Sequence, residues 1–205
     1  MIAIAKEPEA VLVLIRHGEI VRPKETSNFD RAPLSSEGWR QVNRLATEWP
    51  VAKPSAVYSS DLLRAVQSAT ILQTAFHVPL EKRACLREWT ADPADLPQNV
   101  YMDLERRAWR DFHWVPPGGE SLAMAGDRVM RCLNEIAARH HGGIVAVVGH
   151  GTLFSQFTST LKGERPTEAY KNSIPFAGVA IVAHADAWRL VSDFASFGSG
   201  PHENL

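Results

Sequence analysis

The run VLVLIRHGEI, residues 11–20, decides how this chain folds. Its first half, Val11 to Ile15, is apolar without a break. A strand with one face in water alternates apolar and polar side chains, whereas a strand covered on both faces is apolar throughout, so this one reads as a central strand of a parallel sheet. The second half sets an arginine, an imidazole, a glycine and a carboxylate side by side at the strand's end. Two later runs share the character of the first half, AVYSS (56–60) and IVAVVGH (144–150). Helical patterns separate and follow them. SSEGWRQVNRLATEW (35–49) opens with Ser35 as N-cap and Glu37 in the first turn, where the helix dipole favours an acid. DLLRAVQSATILQTAF (61–76) sets Leu62, Val66, Ala69 and Phe76 on one face, interrupted by Gln73. GESLAMAGDRVMRCLNEIAARHHGG (119–143) reads as a long helix closed by Gly142 and Gly143, and GTLFSQFTSTLKG (151–163) as a shorter one. GVAIVAHADAWRLVSDF (178–194) reads as a hairpin turning at His184 to Ala187. Strands alternating with helices predict an α/β three-layer sandwich, a central mostly parallel sheet with helices on both faces.

The 205 residues fit one domain, 1–205. Composition is that of an ordinary globular protein, 45% apolar and 22% charged. A net charge of -1 supplies no overall attraction to nucleic acid or an anionic membrane, so neither is an expected partner and any anion must be gripped locally. The longest early apolar run, Val11 to Ile15, is too short for a secretory leader or a bilayer span, which makes the cytoplasm the default location. Cys85 and Cys132 lack the C-x-x-C spacing and read as buried thiols. Cysteine phosphatases carry an arginine six residues after the nucleophile. Here positions 91 and 138 are both alanine, so that chemistry is dropped. Residues 90–119 differ from the rest: proline and aspartate are frequent, and Trp109, Trp114, Arg106, Arg107 and Arg110 stand together. They read as a substrate-side insertion whose arginines meet a second anionic group, or as a surface helix with Trp109 and Phe112 inward and its arginines in water. The tail GSGPHENL reads as mobile.

In an open α/β sheet, ligands bind beyond the carboxyl ends of the strands. The first strand ends in Arg16-His17-Gly18-Glu19. The second ends in Ser59-Ser60, with Arg64 in the first turn of the helix that follows, and the third ends in Gly149-His150-Gly151. Helical side chains lean toward the helix N-terminus, so Arg64 points back over the strand ends. Two histidines and two arginines around helix N-termini make a dianion site, and phosphate fits it best.

LIRHGE, APLSSEGWRQV, SSDLLRAVQSA, LREW, PGGESL and VVGHG occur in this order within residues 12–151. Together they resemble the histidine phosphatase superfamily, the phosphoglycerate mutase-like fold. The resemblance implies that His17 is the nucleophile that becomes phosphorylated, that Arg16, Arg64 and His150 bind the transferring phosphoryl group with Gly151 beside them, and that Glu88 donates the proton. The chain departs from the family pattern at Ile20 and Pro23, where a threonine and a phosphate-binding asparagine are usual. Asn28, or its neighbour Ser27, is the candidate replacement. No metal and no cofactor are expected: the arginines supply the positive charge, and His140 and His141 end a helix where a cationic imidazole suits the dipole. The expected function is a metal-independent phosphatase that hydrolyses small phosphomonoesters through a phosphohistidine on His17, its partner being a small phosphorylated metabolite. Mutase-type phosphoryl transfer with the same residues is the alternative. A non-catalytic scaffold ranks below both, because no catalytic residue is lost. A homodimer through the edge of the C-terminal hairpin stays open.

Overall fold

The computed structural model describes residues 9–23, 26–91 and 95–196. The tail GSGPHENL lies outside them, as do Asp92 and Pro93 of the 90–119 segment. Strands β1 (Ala10–Arg16), β2 (Ala56–Ser59), β3 (Leu80–Lys82), β4 (Ile144–Gly149), β5 (Val179–His184) and β6 (Trp188–Ala195) form a six-stranded sheet in the order β3-β2-β4-β1-β5-β6. β3, β2, β4 and β1 run parallel. The C-terminal hairpin adds β5 antiparallel to β1 and β6 antiparallel to β5. The sandwich expected from the sequence is therefore the observed fold, a mixed sheet with helices on both sides.

The unbroken apolar runs have a simple cause. Along β1, Leu12 and Leu14 face a core shared with Leu133 and Ile136 of α4 (Leu122–Arg139) and Phe154 and Phe157 of α5 (Gly151–Lys162). Val13 and Ile15 point the other way, toward Val42 and Leu45 of α1 (Ser36–Thr47) and Ala65, Ala69 and Leu72 of α2 (Leu63–Phe76). Successive side chains thus enter opposite cores, the period of two inherent in a strand. Burying each such side chain contributes about 1.5–3 kcal/mol, so a polar residue anywhere in the run would cost one core or the other. Ser35 caps α1 as expected, its Oγ accepting the Gly38 amide at 3.0 Å, a bond of the kind that contributes about 1 kcal/mol.

Two expectations need correction, and for the 90–119 segment the side chains match the surface-helix alternative. The buried face of α2 is Arg64, Ala65, Ser68, Ala69, Ile71 and Leu72, rotated from the one drawn through Val66, Gln73 and Phe76. Small residues let the helix approach the sheet closely, and the large apolar residues that suggested the other phase sit at its margin. In the 90–119 segment, α3 (Gln98–Arg110) turns Ala108 and Trp109 inward while Arg106, Arg107 and Arg110 stay exposed. Arg106 pairs with Asp103 at 3.1 Å and Arg107 lies 4.4 Å over the Trp114 ring, so these arginines serve the helix surface. Finally, Cys85 and Cys132 are joined in a disulfide with their Cα atoms 5.9 Å apart. They stand 47 positions apart in the chain, a distance at which spacing rules are silent. They meet because α4 packs against the single 3₁₀ turn Ala84–Leu86. Among the described residues no helix is long and apolar enough to cross a membrane.

Candidate active site

Register brings the separated motifs together. Arg16 lies opposite Gly149 in the parallel β1–β4 ladder, so the next residues, His17 and His150, leave the sheet side by side. Their rings meet edge to face with centroids 5.1 Å apart. β2 ends level with them, the Ser60 amide bonding the Val148 carbonyl at 3.0 Å. Arg64, in the first turn of α2, leans back as expected and its Nε donates to His17 Nε2 at 3.2 Å. Nη1 of the same guanidinium donates to the Phe29 carbonyl at 2.6 Å.

The tautomer of His17 follows from its partners. Nδ1 lies 2.7 Å from the Gly18 carbonyl, which only accepts, so Nδ1 carries the proton and Nε2 keeps a lone pair. Burial, reinforced by the charge of Arg64, holds the imidazole pKa well below its ordinary value, and His150 is lowered for the same first two reasons. Both rings are neutral at physiological pH. Burial also lowers the Arg16 and Arg64 guanidiniums from their usual value, with Glu88 acting in opposition, and both remain cations.

Around the Nε2 lone pair, buried polar atoms stand without partners. His150 is fully buried and neither ring nitrogen meets a protein donor or acceptor; the same is true of Arg16 Nε. Leaving such groups unpaired costs about 1–3 kcal/mol each, so their clustering beside one imidazole is best explained by a ligand rich in acceptors. Arg16 is aimed by its other contacts: Nη1 donates to the Ile174 carbonyl and the guanidinium stacks 4.1 Å over Phe176. Gly151 opens α5 next to it, and a Cβ there would sit 3.6 Å from Arg16 Nε.

Glu88 flanks the same site. Its Oε2 accepts the Thr152 amide in the first turn of α5 at 3.1 Å, and Oε1 accepts the Trp89 amide at 2.9 Å. It shares a recess of about 120 Å³ with Arg64, Ser27, Asn28, Phe29 and Tyr101. Asn28 is exposed at the rim and its Oδ1 accepts the Asp30 amide at 2.9 Å. Ser27 is the more suggestive of the two candidate replacements, because its Oγ is buried and unpartnered. Glu19, by contrast, braces the loop: its carboxylate accepts Ser35 Oγ at 2.8 Å and its amide donates to Gln41 Oε1 at 2.9 Å. A larger cleft of about 480 Å³ runs along α1 past Glu37, Arg40, Arg44 and Phe176, but neither histidine lines it. Among the described residues no three His, Cys, Asp or Glu gather to hold a metal ion, and His140 bonds Tyr58 instead, Nε2 to hydroxyl at 2.9 Å.

Sequence reasoning missed Phe176, the Ile174 and Phe29 carbonyls, and Tyr101. Residues 174–176 reach the site only because β5 returns antiparallel beside β1, and no local pattern signals that. Tyr101 could have been suspected as an aromatic residue in the segment already set apart. Its hydroxyl bonds Thr90 and the Ala91 backbone, and its pKa is pushed up to about 12, chiefly by burial and then by Glu105. It is a donor at any working pH.

The model of the histidine phosphatase superfamily, branch 1, matches residues 12–193. A metal-independent phosphoserine phosphatase of Arabidopsis thaliana is 28% identical over 91% of this chain and 84% of its own. Phosphoserine phosphatase 1 of Hydrogenobacter thermophilus is 30% identical over 68% of this chain and 70% of its own. Among solved structures, mycobacterial glucosyl-3-phosphoglycerate phosphatase in complex with VO3 superposes with a TM-score of 0.72 at 27% identity, covering 94% of this chain and 100% of that one. The chain thus belongs to the histidine phosphatase superfamily, branch 1, and with it to the phosphoric monoester hydrolases.

Proposed function

We propose that the protein is a metal-independent phosphatase that hydrolyses small phosphomonoesters through a phosphohistidine on His17. The observation that carries this reading is the set of buried, unpartnered atoms, Arg16 Nε and both nitrogens of His150, gathered about a neutral His17 whose Nε2 lone pair is held by Arg64. In the first step His17 Nε2 forms a bond to phosphorus while the ester P–O bond breaks. Arg16, Arg64, His150 and the Gly151 amide hold the equatorial oxygens, where the charge of a loose transition state collects. Glu88 gives its proton to the departing alkoxide. Its carboxylate then takes a proton from water as that water attacks phosphorus and the P–N bond breaks, releasing phosphate and restoring both groups. Two guanidiniums supply positive charge of the kind a metal would otherwise provide.

The partner in this reading is a small phosphorylated metabolite. Phosphoserine and glucosyl-3-phosphoglycerate, named for the relatives above, are the esters to try first. Ser27 or Asn28 completes the phosphoryl pocket in place of the residues absent at Ile20 and Pro23. The cytoplasm expected from the sequence stays part of the proposal, and the Cys85–Cys132 bond bears against it, since disulfides persist mainly in oxidising compartments. The test is release of p-nitrophenol from p-nitrophenyl phosphate in excess EDTA, with His17→Ala, Ser27→Ala and Asn28→Ala beside the native protein. Turnover that survives EDTA and vanishes in His17→Ala supports the reading, and whichever of the other two variants raises KM identifies the replacement donor. Loss of turnover on adding EDTA, or full activity in His17→Ala, would refute it.

A further inference from the structure

Glu88 stands on irregular backbone between the 3₁₀ turn and the excursion that carries α3, where neither a ladder nor a helix fixes it. Besides the Cys85–Cys132 bond and the amides that the carboxylate itself accepts, what steadies this segment is Arg128 of α4. Its Nη1 donates to the Cys85 carbonyl at 2.8 Å and to the Arg87 carbonyl at 2.9 Å, so the peptide that leads into Glu88 is held directly. The other edge of the guanidinium forks onto Glu120: Nε meets Oε2 at 3.1 Å, and Nη2 meets Oε1. Glu120 in turn accepts the indole N–H of Trp89 at its backbone carbonyl, 2.7 Å away. The residues before and after Glu88 are therefore tied to one ion pair, and Arg87, Glu88, Glu120 and Arg128 line one cavity of about 250 Å³. Gly119 tightens the arrangement, since a Cβ there would lie 2.8 Å from the carbonyls of Thr90 and Ala91.

We propose that Arg128, clamped by Glu120, is a positioning residue that aims the Glu88 carboxyl at the leaving-group oxygen. This rests on the reading of Glu88 as the proton donor. Arg128 is not a further phosphate ligand, because its nitrogens already bond Glu120 and two carbonyls. A lysine could not replace it: a single ammonium cannot fork onto a carboxylate and reach both carbonyls at once.

A misaimed general acid has a signature that a merely loosened fold does not. p-Nitrophenolate is a stable anion that departs without a proton, whereas an alkoxide needs one, and proton donation contributes about 10²–10⁴-fold. kcat/KM reports the steps up to departure of the alcohol and not the later hydrolysis of phosphohistidine, so it isolates the donor role. The experiment compares kcat/KM for p-nitrophenyl phosphate and glycerol 2-phosphate in the native protein, Arg128→Met, Glu120→Gln and Glu88→Gln. Arg128→Met keeps the Cys85–Cys132 bond, which fastens the same segment to α4 one turn farther on, so the segment stays in place while its aim is lost. The expected result is a partial loss of about 10–100-fold on the alkyl ester, at or below the lower end of what a general acid contributes because the donor is misaimed and not removed, against little change on the aryl ester. Glu88→Gln should show the same selectivity at full size and Glu120→Gln a smaller version, which keeps the test decisive if Arg128→Met does not fold. Equal losses on both esters in Arg128→Met and Glu120→Gln, or none on either, would overturn the positioning role while leaving the phosphatase intact. Unselective loss in Glu88→Gln would overturn the donor assignment and this proposal with it. A native protein that releases phosphate from neither ester would overturn the phosphatase reading itself.

Discussion

His17 and His150 are where a single residue's chemistry and the stability of the whole fold are linked. In an unfolded chain each imidazole titrates near 6.5; in the folded protein burial and Arg64 hold both far lower. Above that pH neither state carries these protons, so pH acts on stability through other groups. As pH falls below about 6.5 the unfolded chain gains protons that the folded one refuses, and unfolding becomes easier by up to about 1.4 kcal/mol per pH unit for each histidine, until the folded pKa is reached. Urea melts between pH 6.5 and 5.5 should therefore show falling stability, with a visibly shallower slope in His150→Asn. Identical slopes in the two proteins would mean that His150 does not stay neutral. That His17, His150, Arg16 and Arg64 gather at one edge of the sheet was legible in the sequence, because strand ends and a helix's first turn are positions that pattern locates. The unpartnered Ser27 hydroxyl and the stacking of Arg16 on Phe176 were not, since each depends on a loop whose path no periodicity encodes.

Among the elements, the loop after β1 and the first turn of α1 show how backbone contact, not side-chain contact, can fix a site. A Cβ on Gly38 would fall 2.0 Å from the Glu19 carbonyl oxygen, and one on Gly18 would fall 2.6 Å from that of Gly38. Neither glycine has a positive φ, so the demand is for space and not for an unusual conformation. Replacing a helical glycine by alanine ordinarily favours the helix by about 0.5–1 kcal/mol. Here the overlap costs more, of the order of 1–3 kcal/mol for a crowded site, so Gly38→Ala should destabilise the protein. It should also lower kcat/KM, because the clash is relieved by moving Gly18 and Glu19, and the Gly18 carbonyl is what holds His17 Nδ1. A urea midpoint that rises, with activity unchanged, would show that the loop and helix can part freely. The three central strands were readable as unbroken apolar runs bounded by polar residues, and the four principal helices from their length, caps and helical spacing. β3, of three residues, and α6 (Glu168–Ser173), of six, are too short to carry a period, and the phase of α2 was misread because its buried face mixes alanine, serine and an inward arginine with only two large apolar residues, Ile71 and Leu72.

Across the whole molecule, the disulfide is the feature that the sequence reading got wrong and that the fold makes most consequential. Cys85 and Cys132 close a loop of 47 residues that contains Glu88, α3 and the first half of α4, so the excursion that borders the recess leaves the body and returns to it at a covalent staple. Constraining a loop of that length in the unfolded chain is worth about 4 kcal/mol on the chain-entropy account, and native disulfides of small proteins commonly contribute 2–5 kcal/mol by about the same reckoning. Against a net stability of about 5–15 kcal/mol for a typical domain, that is a large share. Adding a thiol reductant, with reduction confirmed by thiol titration, should lower the unfolding free energy by about 2–4 kcal/mol. The Cys85→Ser, Cys132→Ser double variant should match the reduced protein and be indifferent to the reagent. The two-point attachment also predicts where the loss is felt first: hydrogen exchange should quicken over residues 95–121, which hang from the staple, before it quickens in β1 or β4, which are buried on both faces and hold the sheet without it. Uniform quickening would instead mean that the staple supports the central sheet, and unchanged stability after complete reduction would mean that the packing of α4 on the 3₁₀ turn suffices alone.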